Sequence, residues 1–268
     1  MDKVAALTYN CRGVVRPPVS SGPPLGRAVA RLRGLAYDAY HRLARANYER
    51  ELLARRTATP AGPVRTYEPW TRHGGSEMLA ALCDRCGPAD VVYDVGANVG
   101  VYALALAAGA PDRRVVAFEP SPEAVERFRA NRRLNDLAGR IDVRPHGLGD
   151  ASGERPFYVS TYPQLSAFDR ESARRWAAEV AGVVEVPVRR LDDVEGPPPD
   201  VCKVDVEGAA PDVLRGGRET LARHRPALFV EVHDEGLSRD VPGETRAILD
   251  DLDYAVSERD GYWHCEPR

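Results

Sequence analysis

At 268 residues, with 43% hydrophobic and 29% charged side chains, the chain has the composition of an ordinary globular protein. That length holds one domain of about 200 residues plus an extension. A net charge of -3 excludes a global attraction to nucleic acid. The longest uncharged apolar run, 99–110, is too short to span a bilayer, and the opening MDKVAALTYN lacks the basic start and apolar core of a secretory leader. The default is a cytoplasmic enzyme.

Residues 1–26 carry Pro17-Pro18, Ser20-Ser21-Gly22 and Pro23-Pro24 with few apolar anchors, the pattern of a mobile tail. A helix is predicted over 27–56, where Leu32, Leu35, Ala36, Ala39, Leu43, Ala46 and Leu53 recur at helical spacing among arginines. It reads as a helix docked on the catalytic domain or on another subunit. Its sharper alternative is a basic amphipathic helix lying on the acidic inner membrane surface or gripping an acidic partner. A narrow, alanine-rich stripe favours docking. Residues 57–75 read as a linker whose Tyr67, Trp70 and His73 either line an acceptor pocket or plug the sheet edge. The division is therefore a tail at 1–26, a helix with its linker at 27–75, and the main domain at 76–268. A helix at 76–86 opens that domain. Its Cys83 and Cys86 form a C-x-x-C without a second ligand pair, and the five scattered cysteines fit a reducing compartment better than a structural zinc.

The next stretch organises the rest. Residues 91–95 form a short β-branched strand, Gly96 and Gly100 permit a tight turn, and 101–108 has helical length and composition. A strand, a glycine turn and a helix N-terminus make a cofactor cradle, because the helix end offers unpaired N–H groups and partial positive charge. A second strand at 115–119 ends in Glu119, about 20 residues on, where an acid grips ribose hydroxyls in dinucleotide-binding units. The turn departs from G-x-G-x-x-G, since Asn98 holds the second glycine position and Ala103 the third. Asn98 counts against the close approach of a pyrophosphate. S-adenosylmethionine has no phosphate; its carboxylate suits the helix end, and its ammonium and sulfonium suit acids such as Asp94.

Strands at 141–147, 201–206 and 228–233 alternate with helices at 122–135, 210–223 and 243–252, the signature of a mostly parallel sheet with helices on both faces. Extra strands at 155–160 and 183–191 precede the fourth parallel strand, and 253–258 with 261–265 form a closing antiparallel hairpin. The fold class is α/β and Rossmann-like. Ligands in such sheets bind beyond the carboxyl ends of the strands. Those ends carry Asp94, Glu119, Asp150, Asp205 with Glu207, and Glu231 with His233. Any one of these could be a structural cap or ion pair; the set is the signal.

These residues carry a family likeness. DVGANVGVYALAL at 94–106, AFEPSPEAVERFRANRRLN at 117–135, VPVRRLDDV at 186–194, KVDVEGAAPDVLRGG at 203–217 and PALFVEVHD at 226–234 together resemble the FkbM family of S-adenosylmethionine-dependent methyltransferases. The likeness covers about residues 67–234. It implies a class I methyltransferase fold and O-methylation of a hydroxyl, sometimes a carboxylate, on a sugar, glycan or natural product. It also implies that Asp94, Gly96, Asn98 and Gly100 surround the methionine part, that Glu119 holds the ribose, and that Asp150 lies near the adenine. One departure is Ala210, where the family carries an acid after Glu-Gly-Ala.

Methyl transfer is an in-line displacement, so the protein must align acceptor oxygen, methyl and sulfur. An alcohol acceptor also needs a general base, for which Asp205, Glu207, Glu231 and His233 are candidates. His233 is favoured because imidazoles titrate near working pH. A carboxylate acceptor would instead want arginines such as Arg65, Arg72, Arg174 or Arg175. Asp205, Glu207 and Glu231 could also supply oxygen ligands to Mg²⁺, although nothing in their spacing requires a metal. Two rival readings stand beside this one. A nicotinamide-dependent oxidoreductase or epimerase is disfavoured by Asn98 and by the absence of a Tyr-x-x-x-Lys pair. A non-catalytic module recruited through its basic helix is disfavoured by the intact cofactor-site acids. The identity of the acceptor and the oligomeric state stay open.

Overall fold

A computed structural model describes residues 39–69, 73–233 and 237–268. The predicted tail and the first part of the predicted helix fall outside the described residues. The chain divides into two compact units, Met1–Leu43 and Ala44–Arg268. Of the first, only 39–43 is described, a stretch of helix in which the Tyr40 ring stands edge-on to His41.

In the described residues helix α1 runs over 39–50 and stops there, short of the predicted 56. Asn47 explains the stop. Its side-chain oxygen accepts the Leu53 N–H at 2.8 Å, and its amide donates to the Leu53 and Tyr67 carbonyls at 2.9 and 2.6 Å. The freed chain forms β1 (Arg55–Thr57), paired antiparallel with β2 (Val64–Thr66), so the expected linker is a β-ribbon. Asn131 and Asn135 clamp that ribbon, their side-chain oxygens accepting the Tyr67 and Arg65 N–H groups at 3.0 and 2.8 Å.

The main sheet is mostly parallel with a closing antiparallel hairpin, as expected. Strands β3 (Val91–Val95), β4 (Arg114–Phe118) and β5 (Ile141–Arg144) run parallel on one side, and β9 (Val201–Val204) and β10 (Ala227–Val230) on the other. The hairpin β11 (Tyr254–Arg259) and β12 (Tyr262–Pro267) closes the edge antiparallel to β10. The order β11-β12-β10-β9-β3-β4-β5 reverses direction between β3 and β9, which is where open α/β sheets bind ligands. Side chains alternate across the sheet: Val92 enters one apolar cluster with α2 (Glu77–Arg85), α3 (Val101–Gly109) and α4 (Pro122–Leu134). Tyr93 and Val95 enter the other, with α5 (Ala210–Gly216), α6 (Arg218–His224) and α7 (Val241–Asp251). Helix α3 is buried all round, as its unbroken apolar sequence requires.

Two further predicted elements come out differently. The strand expected over 141–147 breaks after Arg144, because the buried His146 ring packs on Phe118 and Gly147 lies against Phe168 and Pro120. The chain resumes as β6 (Gly147–Leu148), in a separate sheet with β8 (Val180–Arg189) and β7 (Gly153–Ser160) in the order β6-β8-β7. That sheet holds the two extra strands, so the insertion stands apart from the main sheet. The single helix expected over 210–223 divides at Gly217, and a side chain at Gly216 would run into the Gly149 carbonyl. Phe128 of α4, fully buried, packs its ring where a side chain at Gly100 would sit. Phe128→Ala should therefore cost about 3–5 kcal/mol, read as a lower urea midpoint with an unchanged slope.

Candidate active site

The glycine turn is shaped by backbone that only small residues allow. Gly96 has φ +78° and a side chain there would meet the Asp205 carbonyl oxygen, while Gly100 has φ +87°. Asn98 between them is also left-handed, at φ +50°, a conformation asparagine tolerates better than most residues. Glu119, buried at the end of β4, holds this turn. Its Oε2 accepts the Asn98 N–H at 2.8 Å and its Oε1 accepts the Ser121 N–H at 2.8 Å. Burial pushes its carboxyl up to about 7, against the pull of those two N–H groups. An ionised carboxylate has about four lone-pair sites, so Glu119 keeps acceptor capacity for two ribose hydroxyls.

Beside the turn is a buried charge cluster centred on a residue that sequence reading did not single out. Lys203 lies in β9 with Asp94 as its register partner on β3. Its ammonium is 3.1 Å from Asp94 Oδ1 and 3.4 Å from Asp205 Oδ2, donates to the Gly96 carbonyl at 2.9 Å, and lies over the Tyr102 ring. Burial pulls its pKa down, but Asp94 and Asp205 outweigh that and hold it above the ordinary lysine range. The signal was present in Lys-x-Asp-x-Glu-Gly, since alternation along a strand puts Lys203 and Asp205 on one face.

The second half of the site follows β9 and β10. His233 Nε2 is 3.0 Å from Asp205 Oδ1 and 3.7 Å from Glu231 Oε1, and its Nδ1 is 3.8 Å from Glu207 Oε2. Burial, then repulsion from Asp205, raises the Glu231 carboxyl. Glu207 sits in the left-handed region at φ +48° and pairs with Arg175 from the insertion. The structure thus brings together Asp94, Gly96, Asn98, Gly100 and Glu119 on one side, and Asp205, Glu207, Glu231 and His233 on the other, with Lys203 joining them. Asp150 follows the short strand β6. Its carboxylate is half exposed and reaches Arg155 at 3.5 Å, while His146 and Gly147, a few residues earlier, pack beside Phe118 and Pro120. Ala210, the first residue of α5, is buried in the second apolar cluster.

The donor's chemistry fits this cradle. Fully buried Asp94 Oδ2 has no hydrogen-bond partner among the described residues, and the α3 N-terminus follows the turn that Glu119 fastens. A resident divalent ion fits less well. Asp205, Glu231 and His233 offer ligand atoms within 4.8 Å of one another, but Asp205 already serves Lys203 and His233, and Glu207 is taken by Arg175.

Residues 94–256, more than half of the chain, match the Methyltransferase FkbM domain. The chain belongs to the FkbM methyltransferase family. Its similarity to 2-O-methyltransferase NoeI of Sinorhizobium fredii is 32% identity over 192 residues, covering 65% of this chain and 74% of that protein. Against AMB antimetabolite synthetase AmbE of Pseudomonas aeruginosa it is 32% identical over 185 residues, 55% of this chain but only 8% of that protein. The chain thus spans less than two thirds of the length of several relatives it matches. The crystal structure of Methyltransferase FkbM from Methylobacillus flagellatus, 22% identical, superimposes with a TM-score of 0.50, covering 68% of this FkbM-family chain and 44% of that one. That likeness supports the class I α/β fold.

Lys203→Met would leave Asp94 and Asp205 uncompensated next to the glycine turn. Removing one partner of a buried pair costs about 3–5 kcal/mol, so the variant should unfold at markedly lower urea, and a wild-type midpoint would show that the cluster is not structural.

Proposed function

We propose that this FkbM-family chain is an S-adenosylmethionine-dependent O-methyltransferase that acts on a hydroxyl of a sugar, glycan or natural product. The observation that carries this reading is the position of His233. Its Nε2 rests 3.0 Å from Asp205, and Asp205 in turn shares Lys203 with Asp94 of the donor turn. A base is thereby fixed against the donor cradle. Bound in that cradle, S-adenosylmethionine would supply a methyl group carried on a sulfonium. Gly96, Asn98 and the α3 N-terminus would hold its amino-acid part, and Glu119 its ribose.

An ionised Asp205 can only accept, so Nε2 carries the hydrogen of that contact and Nδ1 presents the lone pair. His233 would take the acceptor's hydroxyl proton there as that oxygen receives the methyl group. A hydroxyl is favoured over a carboxylate acceptor because Arg175, the arginine that reaches the described His233 cluster, is committed to Glu207. NoeI's name, a 2-O-methyltransferase, supports the same choice.

Calorimetric titration with S-adenosylhomocysteine tests the reading. The wild type should bind, and Glu119→Gln should bind roughly ten- to a hundredfold more weakly, as expected for lost hydrogen bonds to a charged group. Absence of binding by the folded wild type would sink the methyltransferase reading and bring NADH forward as the next ligand to titrate. The pH dependence has a definite sign. Ribose hydroxyls bond better to the ionised carboxylate, and the Glu119 carboxyl sits at about 7, so affinity should be greatest above that pH and fall as the pH drops through it. In Glu119→Gln that dependence should vanish.

A further inference from the structure

We propose that Arg175, from the inserted segment between β7 and β8, is a positioning residue that keeps the Nδ1 lone pair of His233 available by neutralising Glu207. The inference rests on His233 being the base of the proposed reaction. Among the described residues, three carboxylates face its imidazole. Asp205 and Glu207 come from the turn after β9, at 3.0 and 3.8 Å, and Glu231 from the end of β10, at 3.7 Å. Behind them stand Lys203 of β9, 3.4 Å from Asp205, and the Tyr102 hydroxyl of α3, within 2.5 Å of Ser76 Oγ. Three unbalanced carboxylates would hold an imidazole as imidazolium, which has no lone pair and cannot act as a base. Lys203 answers Asp205, on the Nε2 side. On the Nδ1 side the answering cation is Arg175, which contacts Glu207 Oε2, the same oxygen that faces Nδ1.

The fold builds this contact deliberately. Arg175 belongs to a 3₁₀ segment, Ser172–Ala177, and its side chain is only 4% exposed. The segment is anchored at its start, where Asp169 accepts the Ser172 N–H at 2.8 Å. Glu171 beside it accepts both the N–H and the hydroxyl of Ser238, at 3.0 and 2.8 Å. Ser172 and Leu237 close on Gly208, whose φ of +95° and lack of a side chain let the turn bearing Glu207 approach the insertion. Residues far apart in sequence are therefore locked around one carboxylate.

The test is an NMR titration of the imidazole nitrogens in ¹⁵N-histidine-labelled full-length protein, with His233→Gln to assign the signal. Arg175→Gln should raise the His233 midpoint by on the order of one pH unit, and Glu207→Gln, which leaves the guanidinium unopposed, should lower it. The double variant should return towards wild type, and Arg175→Lys should stay near it. Equal midpoints in all of these folded proteins would overturn the proposal, as would movement of both single variants in the same direction. If Arg175→Gln does not fold, the sign of the Glu207→Gln shift decides. Binding of S-adenosylhomocysteine, measured on the same samples, separates the two readings. Unshifted midpoints with binding retained reject only the role of Arg175, whereas lost binding by the wild type rejects the methyltransferase reading and leaves the titration to be judged by itself.

Discussion

A lysine ammonium buried in the middle of a parallel sheet must be balanced where it lies, and most of this site is arranged around that requirement. Lys203 is 2% exposed, and its charge is shared among Asp94, Asp205 and the Gly96 carbonyl. Removing charges from water costs several kcal/mol per ion, and mutual attraction offsets that only where geometry is good and the remaining donors are satisfied. The consequence is positional. Asp94 leads into the glycine turn and Asp205 leads to the turn bearing Glu207, so one cation fixes both loops that flank the sheet's reversal point.

The second requirement is close backbone approach. A side chain at Gly96 would strike the Asp205 carbonyl, and one at Gly100 would strike Phe128. The glycine turn is thus held from below by packing and from the side by Glu119, whose carboxylate fastens the Asn98 and Ser121 amides. A carboxylate in that position is costly to bury, which is why its pKa climbs to about 7. Raised carboxyls at both Glu119 and Glu231, which follow the ends of β4 and β10, are the pattern expected of a functional site.

The insertion changes what the shared fold does here. A smaller sheet, β6-β8-β7, carries the 3₁₀ segment that delivers Arg175 to Glu207. Fold likeness alone does not fix an activity.

Much of this was legible in the chain as written. β-branched runs, an apolar run of helical length after a glycine turn, and the alternation of strands with helices marked β3, α3, β4, α4 and the closing hairpin. The acids at strand ends were legible because a strand's length dictates where its carboxyl end falls. Other features depended on partners remote in sequence. The Asn47 turn that ends α1 draws on the Tyr67 carbonyl, the break at Gly217 follows from contact with Leu191, and the separate sheet arises because Gly147 must lie against Phe168. Arg175 was one of several arginines until a tertiary contact singled it out, and Lys203 was part of a motif until β3 set Asp94 beside it. Local sequence pattern determined the elements and their order; which charges face one another was decided only by packing, because a buried ion's partner is chosen by proximity in space.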